Sequence, residues 1–294
     1  MSELLISIID CTPRSWASLE AESVAPGSPR RATFPEFAAA LQVFLAAFCV
    51  SSRRNRVAVL GFNGSEGGWL LLPPEGASPG GMVDHMRPVA VQRALERGLW
   101  RLRYGVGGGG AAMEEEGAAP AAGAEDAPPP PPPPPRRAFS SLAACMALAM
   151  CLAHRRGAGS ARLLAVQASP DVPSQYIAFN NAVVSAAHRG VAVDALVLGG
   201  DSSVFLQQAA HQTHGMYLKP AAELHAGLLQ YVLQLLLPEV ALRSVLLQPP
   251  QASVNLKAHC FCHKRFRSLA MMCTTCLSLW CAEHAGGVCA TCKM

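Results

Sequence analysis

Seven of the chain's eleven cysteines and three of its nine histidines fall between His259 and Cys292. Cys260 and Cys262 form a CxC pair. After ten intervening residues come Cys273 and Cys276 in CTTC, then Cys281 alone, then Cys289 and Cys292 in CATC. Thiolates one or two residues apart can hold one tetrahedral ion from a single turn, whereas a disulfide between such near neighbours is strained. The spacing therefore points to structural zinc. Seven cysteines exceed one site. Cys260, Cys262, Cys273 and Cys276 would make one, as would Cys273, Cys276, Cys289 and Cys292; two ions would draw further on Cys281 and on His263 or His284. Each set closes the coordination sphere, which marks a structural ion and not a Lewis-acid catalyst. Phe261, Phe266, Leu277, Leu279 and Trp280 can form a small core, with the metal supplying the folding energy so short a segment lacks.

The elements upstream alternate in type. Leu4 to Ile9, Arg56 to Phe62, Arg162 to Gln167, Val191 to Leu198 and Met216 to Leu218 read as short apolar strands. Phe34 to Val50, Val89 to Leu102, Phe139 to His154, Ser174 to His188, Ser203 to His211 and Glu223 to Leu237 read as helices. Such alternation predicts an α/β fold, a doubly wound and mostly parallel sheet with helices on both faces. In the last helix Leu224, Leu228, Tyr231 and Leu235 line one face, and Leu229, Val232, Leu233 and Leu236 another. One sheet cannot bury both faces, so this helix is either wedged within the protein or offers a face to a partner.

Strand one ends in IIDCTPRSW, at the carboxyl edge where open α/β sheets bind ligands. The pattern resembles a von Willebrand A domain, whose metal-binding members carry DxSxS at this turn. Here the three positions are Asp10, Thr12 and Arg14. Arginine donates hydrogen bonds but cannot coordinate a cation, so a divalent-metal adhesion site is not expected. The loop GFNGSEGG after strand two lacks the lysine and hydroxyl of a phosphate-binding loop and reads as a flexible connection. Asp171, Asp194 and Asp201 sit near predicted strand ends without a catalytic motif, and the body histidines show no ligand spacing. No catalytic residue is expected.

Between Gly105 and Arg137 the composition shifts to glycine and alanine, the acidic run Glu114 to Glu116, and eight prolines from Pro128 to Pro135. A solvated insertion is expected there, its prolines forming a stiff spacer of roughly 25 Å at about 3.1 Å per residue. The expected organisation is one α/β domain over residues 1–104 and 138–247, the insertion over 105–137, and a zinc module over 248–294. No signal peptide is visible in the first residues, so reduced thiols are expected and Cys11, Cys49, Cys145 and Cys151 read as buried small apolar groups. Leu224 to Leu247 carries too many polar residues for a membrane span. The net charge of +4 does not by itself mark a nucleic-acid surface. Thiolate charges in the tail would offset Lys257, Lys264, Arg265, Arg267 and Lys293.

The stretches LLISIID, SQYIAFNNAVVSAAHRGVAVDALVL, SSVFLQQAAHQTHGMYLK and LLQYVLQLLLPE, followed by CFCHKRF, CTTCLSLWC and CATC, together resemble the smaller von Willebrand A-domain, zinc-finger subunits of the transcription and repair factor TFIIH. The resemblance covers nearly everything outside Gly105 to Arg137. It implies a nuclear, non-enzymatic scaffold that docks the larger A-domain and zinc-finger subunit and indirectly supports the XPB and XPD helicases in promoter opening and nucleotide excision repair. It also implies structural zinc on Cys260, Cys262, Cys273, Cys276, Cys281, Cys289 and Cys292, with His263 as an additional candidate ligand. Sequence-specific DNA binding is not expected, for want of a long basic recognition helix. The alternative is a RING-like ubiquitin ligase or adaptor, although a RING has CxHxxC where this chain has CTTCLSLWC.

Overall fold

The first strand, Leu4–Asp10 (β1), is buried at every residue, because it lies at the centre of a sheet covered on both sides. A computed structural model of the chain describes residues 4–24, 30–52, 55–72, 88–104, 141–156, 161–246, 248, 254, 258–260, 266–275 and 278–281. The stretch 105–137 lies outside them, as do Cys262, His263, Cys276, His284, Cys289 and Cys292.

After β1 come helices α1 (Pro13–Val24) and α2 (Phe34–Ser51), strands β2 (Arg56–Phe62) and β3 (Gly67–Leu71), and helices α3 (Pro88–Tyr104) and α4 (Leu142–Arg155). Then follow β4 (Ala161–Gln167), α5 (Tyr176–His188), β5 (Ala192–Val197), α6 (Val204–Gln212) and β6 (Tyr217–Leu218). The six strands form one sheet in the order β3-β2-β1-β4-β5-β6, parallel except for β3. Because β1 pairs with both β2 and β4, residues before and after 105–137 build the same sheet. That is the expected α/β layout.

Period-two alternation sends the strand residues to two separate cores. Leu5, Ile9, Val57, Val59, Leu164 and Leu196 pack with α1, α2 and α3, while Ile6, Ile8, Ala58, Leu60, Leu163 and Val193 pack with α4, α5 and α6. In length and composition α2 is apolar enough to cross a membrane, but here Phe34, Phe37, Leu41, Phe44, Leu45 and Phe48 are buried in the first core. Its start carries a capping box between Thr33 and Glu36, with proline in the first turn.

Three sequence expectations need correction. Residues Pro13–Val24 form a helix where no element was expected, and Trp16 donates from its indole to the Asp10 carbonyl at 2.8 Å. The glycine-rich segment after β2 is a tight hairpin turn into antiparallel β3. The Asn63 carboxamide oxygen accepts from the amides of Ser65 and Glu66, and Gly64 takes the left-handed φ of 89°. The long helix expected over Glu223 to Leu237 is a 3₁₀ turn at Ala222–Gly227, one α turn at Leu228–Tyr231 (α7), and a π turn at Val232–Leu236. Widening the turn brings Leu228, Val232 and Leu236 onto the buried side, while Tyr231, Leu233 and Leu235 stay partly covered. The two predicted faces are thereby partly merged, and Leu224 is left exposed.

A charged cluster ties this segment to the sheet. Asp194, the third residue of β5, and Arg162 of β4 are each 1% exposed. Arg243, at the end of the short helix α8 (Val240–Arg243), places both terminal guanidinium nitrogens 2.6 Å from the two Asp194 oxygens. Arg162 lies 3.5 Å from the same carboxylate and donates to the carbonyls of Leu236 and Pro238, each at 2.8 Å. Asp194 also accepts from the Met216 amide at 2.9 Å. Near this point Gly215 passes so close to β5 that a Cβ there would lie 2.0 Å from the Val193 carbonyl oxygen. Removing Arg243 takes both short charge-assisted hydrogen bonds from a buried carboxylate and leaves it only the 3.5 Å contact with Arg162 and the Met216 amide. Arg243→Ala should therefore cost about 3 kcal/mol in urea unfolding, whereas loss of a surface pair would cost about 1 kcal/mol or less.

Candidate metal centre and interaction faces

At the carboxyl edge of the sheet, Asp10 is fully buried and every lone-pair direction has a donor. One oxygen accepts from the amide and hydroxyl of Thr12, at 2.9 and 2.5 Å, and the other from the amides of Ala168 and Ser169, at 3.1 and 2.7 Å. The aspartate therefore pins the β1 turn to the β4 turn. Thr12 spends its hydroxyl on Asp10, and Arg14 is exposed. The geometry is that of an internal anchor in place of a cation site.

Asp171 behaves similarly. Its carboxylate accepts from Gln167 at 3.1 Å, from the Ser203 hydroxyl at 2.6 Å, and from the Phe205 amide at 3.2 Å, holding the first turn of α6. Asp194 lies inside β5 and not at a strand end, and only Asp201 is exposed. The acids that might have served chemistry are thus used in folding. His225 is also internal: it is 5% exposed, its Nδ1 accepts from the Ala32 amide at 3.1 Å, and burial pushes its pKa below the usual imidazole range.

The scattered cysteines divide by environment. Cys11 and Cys145 are buried, and burial raises both thiols, Cys145 to about 12. Cys49 is half-buried and raised to about 11, while Cys151 is exposed, contrary to expectation. A helix position on the solvent side accounts for that difference.

In the tail, the described residues form two short antiparallel hairpins. Strand β7 (Ala258–His259) pairs with β8 (Phe266–Arg267), and β9 (Met271–Met272) pairs with β10 (Leu279–Trp280). A cysteine opens each connection: Cys260 follows β7 and is fully buried, and Cys273 follows β9. The Cys273 amide donates to the Ser278 carbonyl at 2.9 Å, closing the second turn, and buried Cys281 directly follows β10. Trp280, 9% exposed, donates to the Ser278 hydroxyl at 3.3 Å. Among the described residues no three His, Cys, Asp or Glu side chains gather as a metal would require. The described cysteines nevertheless suit zinc as a donor set, since soft thiols open both turns, and those of Cys260 and Cys281 are shielded from water while Cys273 is half-buried.

Sequence reasoning missed the Arg162, Asp194 and Arg243 cluster. A signal was present, because an arginine and an aspartate each interrupt an apolar run that reads as buried on both faces. Arg103 was missed too; it is 8% exposed and donates from α3 to the Pro13 carbonyl at 2.9 Å.

The family model described as "Transcription factor Tfb4" matches residues 134–293. General transcription factor IIH subunit 3 of Dictyostelium discoideum is 38% identical over 157 residues, covering 52% of this chain and 41% of that protein. The general transcription and DNA repair factor IIH subunit TFB4 of Arabidopsis thaliana is 36% identical over 131 residues, covering 45% and 42%. The chain thus spans less than half the length of these curated relatives. The crystal structure of the TFIIH p34 N-terminal domain superposes with a TM-score of 0.51 at 25% identity, covering 79% of this chain and 96% of that one.

Replacing Asp10 with alanine leaves buried amides without an acceptor and should lower stability by about 2–3 kcal/mol in chemical denaturation. Magnesium added to the unaltered chain should leave its melting temperature unchanged, as measured by scanning calorimetry.

Proposed function

We propose that this chain, which belongs to the transcription factor Tfb4 family, is a non-catalytic structural subunit of the TFIIH core in the nucleus, acting in RNA polymerase II transcription initiation and nucleotide excision repair. Its α/β domain docks the larger A-domain, zinc-finger subunit and through it supports the XPB and XPD helicases. The observation that carries this reading is the carboxyl edge of the sheet, where an A-type domain would hold its metal. There Asp10 and Asp171 are consumed by internal hydrogen bonds, leaving an assembly role as the use of the fold. The extent of the match to the p34 N-terminal domain supports the same reading.

Exposed apolar side chains at the end of the domain supply candidate contacts. Leu242, Val245 and Leu246 flank Arg243 of the buried cluster, and Val50 lies in the last turn of α2. A cavity of about 560 Å³ lies between these segments, lined by Phe48, Asn55, Leu237, Leu242 and Leu246 among others. Clustered exposed apolar groups of this kind favour a protein partner.

The test is affinity capture of the tagged full-length chain from nuclear extract. Recovery of the other TFIIH core subunits is expected; a chain that runs alone, or one that assembles ubiquitin chains with a conjugating enzyme, would overturn the assignment.

The tail is read as a structural zinc module. Cys260, Cys273 and Cys281 would contribute ligands together with Cys262, Cys276, Cys289 and Cys292, and His263 is the additional candidate. Zinc bound there would fix the two hairpins and supply no reaction step. Metal analysis of the purified chain should find stoichiometric zinc, and a strong chelator should expose the amides of β7 to β10 to hydrogen exchange while β1, β4 and β5 stay protected. Metal-free protein with protected hairpins would disprove the zinc module.

A further inference from the structure

Helix α3 carries a charge pattern that neither the fold nor the proposed assembly role uses. Arg93, Arg97 and Arg101 recur every four residues and are all exposed, placing their Cβ atoms about 6 Å apart along one face. No described carboxylate lies in ion-pair range of any of the three. The carboxylates of α1, α2 and α3 are engaged elsewhere. Glu96 of the same helix accepts from the carboxamides of Gln42 and Gln92, at 3.5 and 3.4 Å. From α1 and α2, Glu20 faces Arg103, Glu22 pairs with Arg31, and Glu36 pairs with Arg30. The Arg97 side chain also donates back to the Arg93 carbonyl at 3.4 Å, which holds it along the helix.

Beside this stripe stand two exposed aromatic rings. Trp100 and Tyr104 are 42% and 48% exposed, and they stack with centroids 4.8 Å apart and an interplanar angle of 18°. They are held in place from below: Trp100 meets Phe34 edge-on at 6.3 Å, and the Arg103 guanidinium lies 5.2 Å from the Tyr104 ring. A large apolar ring fixed in water by its neighbours is a stacking platform. Three guanidiniums with no carboxylate partner among the described residues suit the phosphates of a backbone, each able to bind oxygens in a bidentate way.

We infer that the outer face of α3 binds single-stranded nucleic acid without sequence preference, with Arg93, Arg97 and Arg101 on phosphates and Trp100 and Tyr104 stacking on unpaired bases. An acidic peptide would satisfy the arginines alone, and a duplex would bury the base faces that the rings need. The combination favours a single strand. This site is independent of the assembly role proposed above, and its affinity should be that of a weak non-specific contact, on the order of 10⁻⁴ to 10⁻⁶ M.

Fluorescence anisotropy with the full-length chain and a labelled oligothymidylate tests it. The triple variant R93Q/R97Q/R101Q should bind at least about tenfold more weakly. Its plot of log affinity against log salt should flatten by about 2, the amount expected when three single-strand phosphates are released. Trp100→Ala should weaken binding about tenfold, and Tyr104→Ser should act in the same direction if the first variant melts early by circular dichroism. Arg189→Gln, on the opposite side of the sheet, should change nothing. Unchanged affinity and salt slope in the triple variant would overturn the inference, and so would a polyglutamate peptide or a duplex of equal length binding as tightly as the single strand.

Discussion

The carboxylate of Asp194, fixed between two guanidiniums, is the interaction on which the closing half of the domain depends. Its 1% exposure means that it is nearly stripped of water, a state that several kcal/mol of desolvation would forbid without strong partners. Arg243 supplies two short hydrogen bonds, and Arg162 stands at 3.5 Å. Two positive groups against one negative leave a surplus charge. The carbonyls of Leu236, Leu237 and Pro238 accept from Arg162, so the negative end of the π turn takes up that surplus. The cluster therefore fixes β4, β5, the strand that follows Gly215, and the chain's exit from the domain in a single constellation.

The opposite edge of the sheet is held by the same chemistry with different partners. Asp10 accepts from four donors drawn from the turns after β1 and β4, and Asp171 joins the β4 turn to α6. Open α/β sheets place ligands at this edge because strand ends leave backbone groups to be satisfied there. Here side-chain carboxylates satisfy them internally. With both edges fixed, the outer helix faces and the exit segment are the surfaces left to meet other molecules.

The parallel sheet and the identity of most of its helices were legible because doubly covered strands read as continuous apolar runs and helices as longer periodic ones. Antiparallel β3 was not. Gly67 and Gly68 carry no side-chain pattern, so its pairing is fixed by the Asn63 turn and not by periodicity. The π turn at Val232 was also invisible, since an all-apolar run fits α and π spacing alike, and the carbonyls freed at its end are satisfied from 74 to 76 residues away in sequence by Arg162. At the candidate site, the cysteine pairs were evident from spacing. The Asp10 turn was located correctly, but the reason it is an anchor was not readable: two of its donors are amides at Ala168 and Ser169, which any residue but proline would offer there.

The two tail hairpins raise a question of energy. Each contains two-residue strands, and isolated hairpins even with longer strands are marginal in water. Among the described tail residues Met271, Met272 and Leu269 are exposed, and the buried apolar side chains are those of Cys260, Trp280 and Cys281. Backbone ordering costs about 1–2 kcal/mol per residue, which a core this small cannot offset alone. The proposed zinc ions answer that shortfall directly, because thiolate coordination stabilises only the folded arrangement and its free energy is then folding free energy. On this reading the cysteines lie at the turns for a physical reason: a turn is where two ligands from adjacent chain segments meet at the least cost in loop closure.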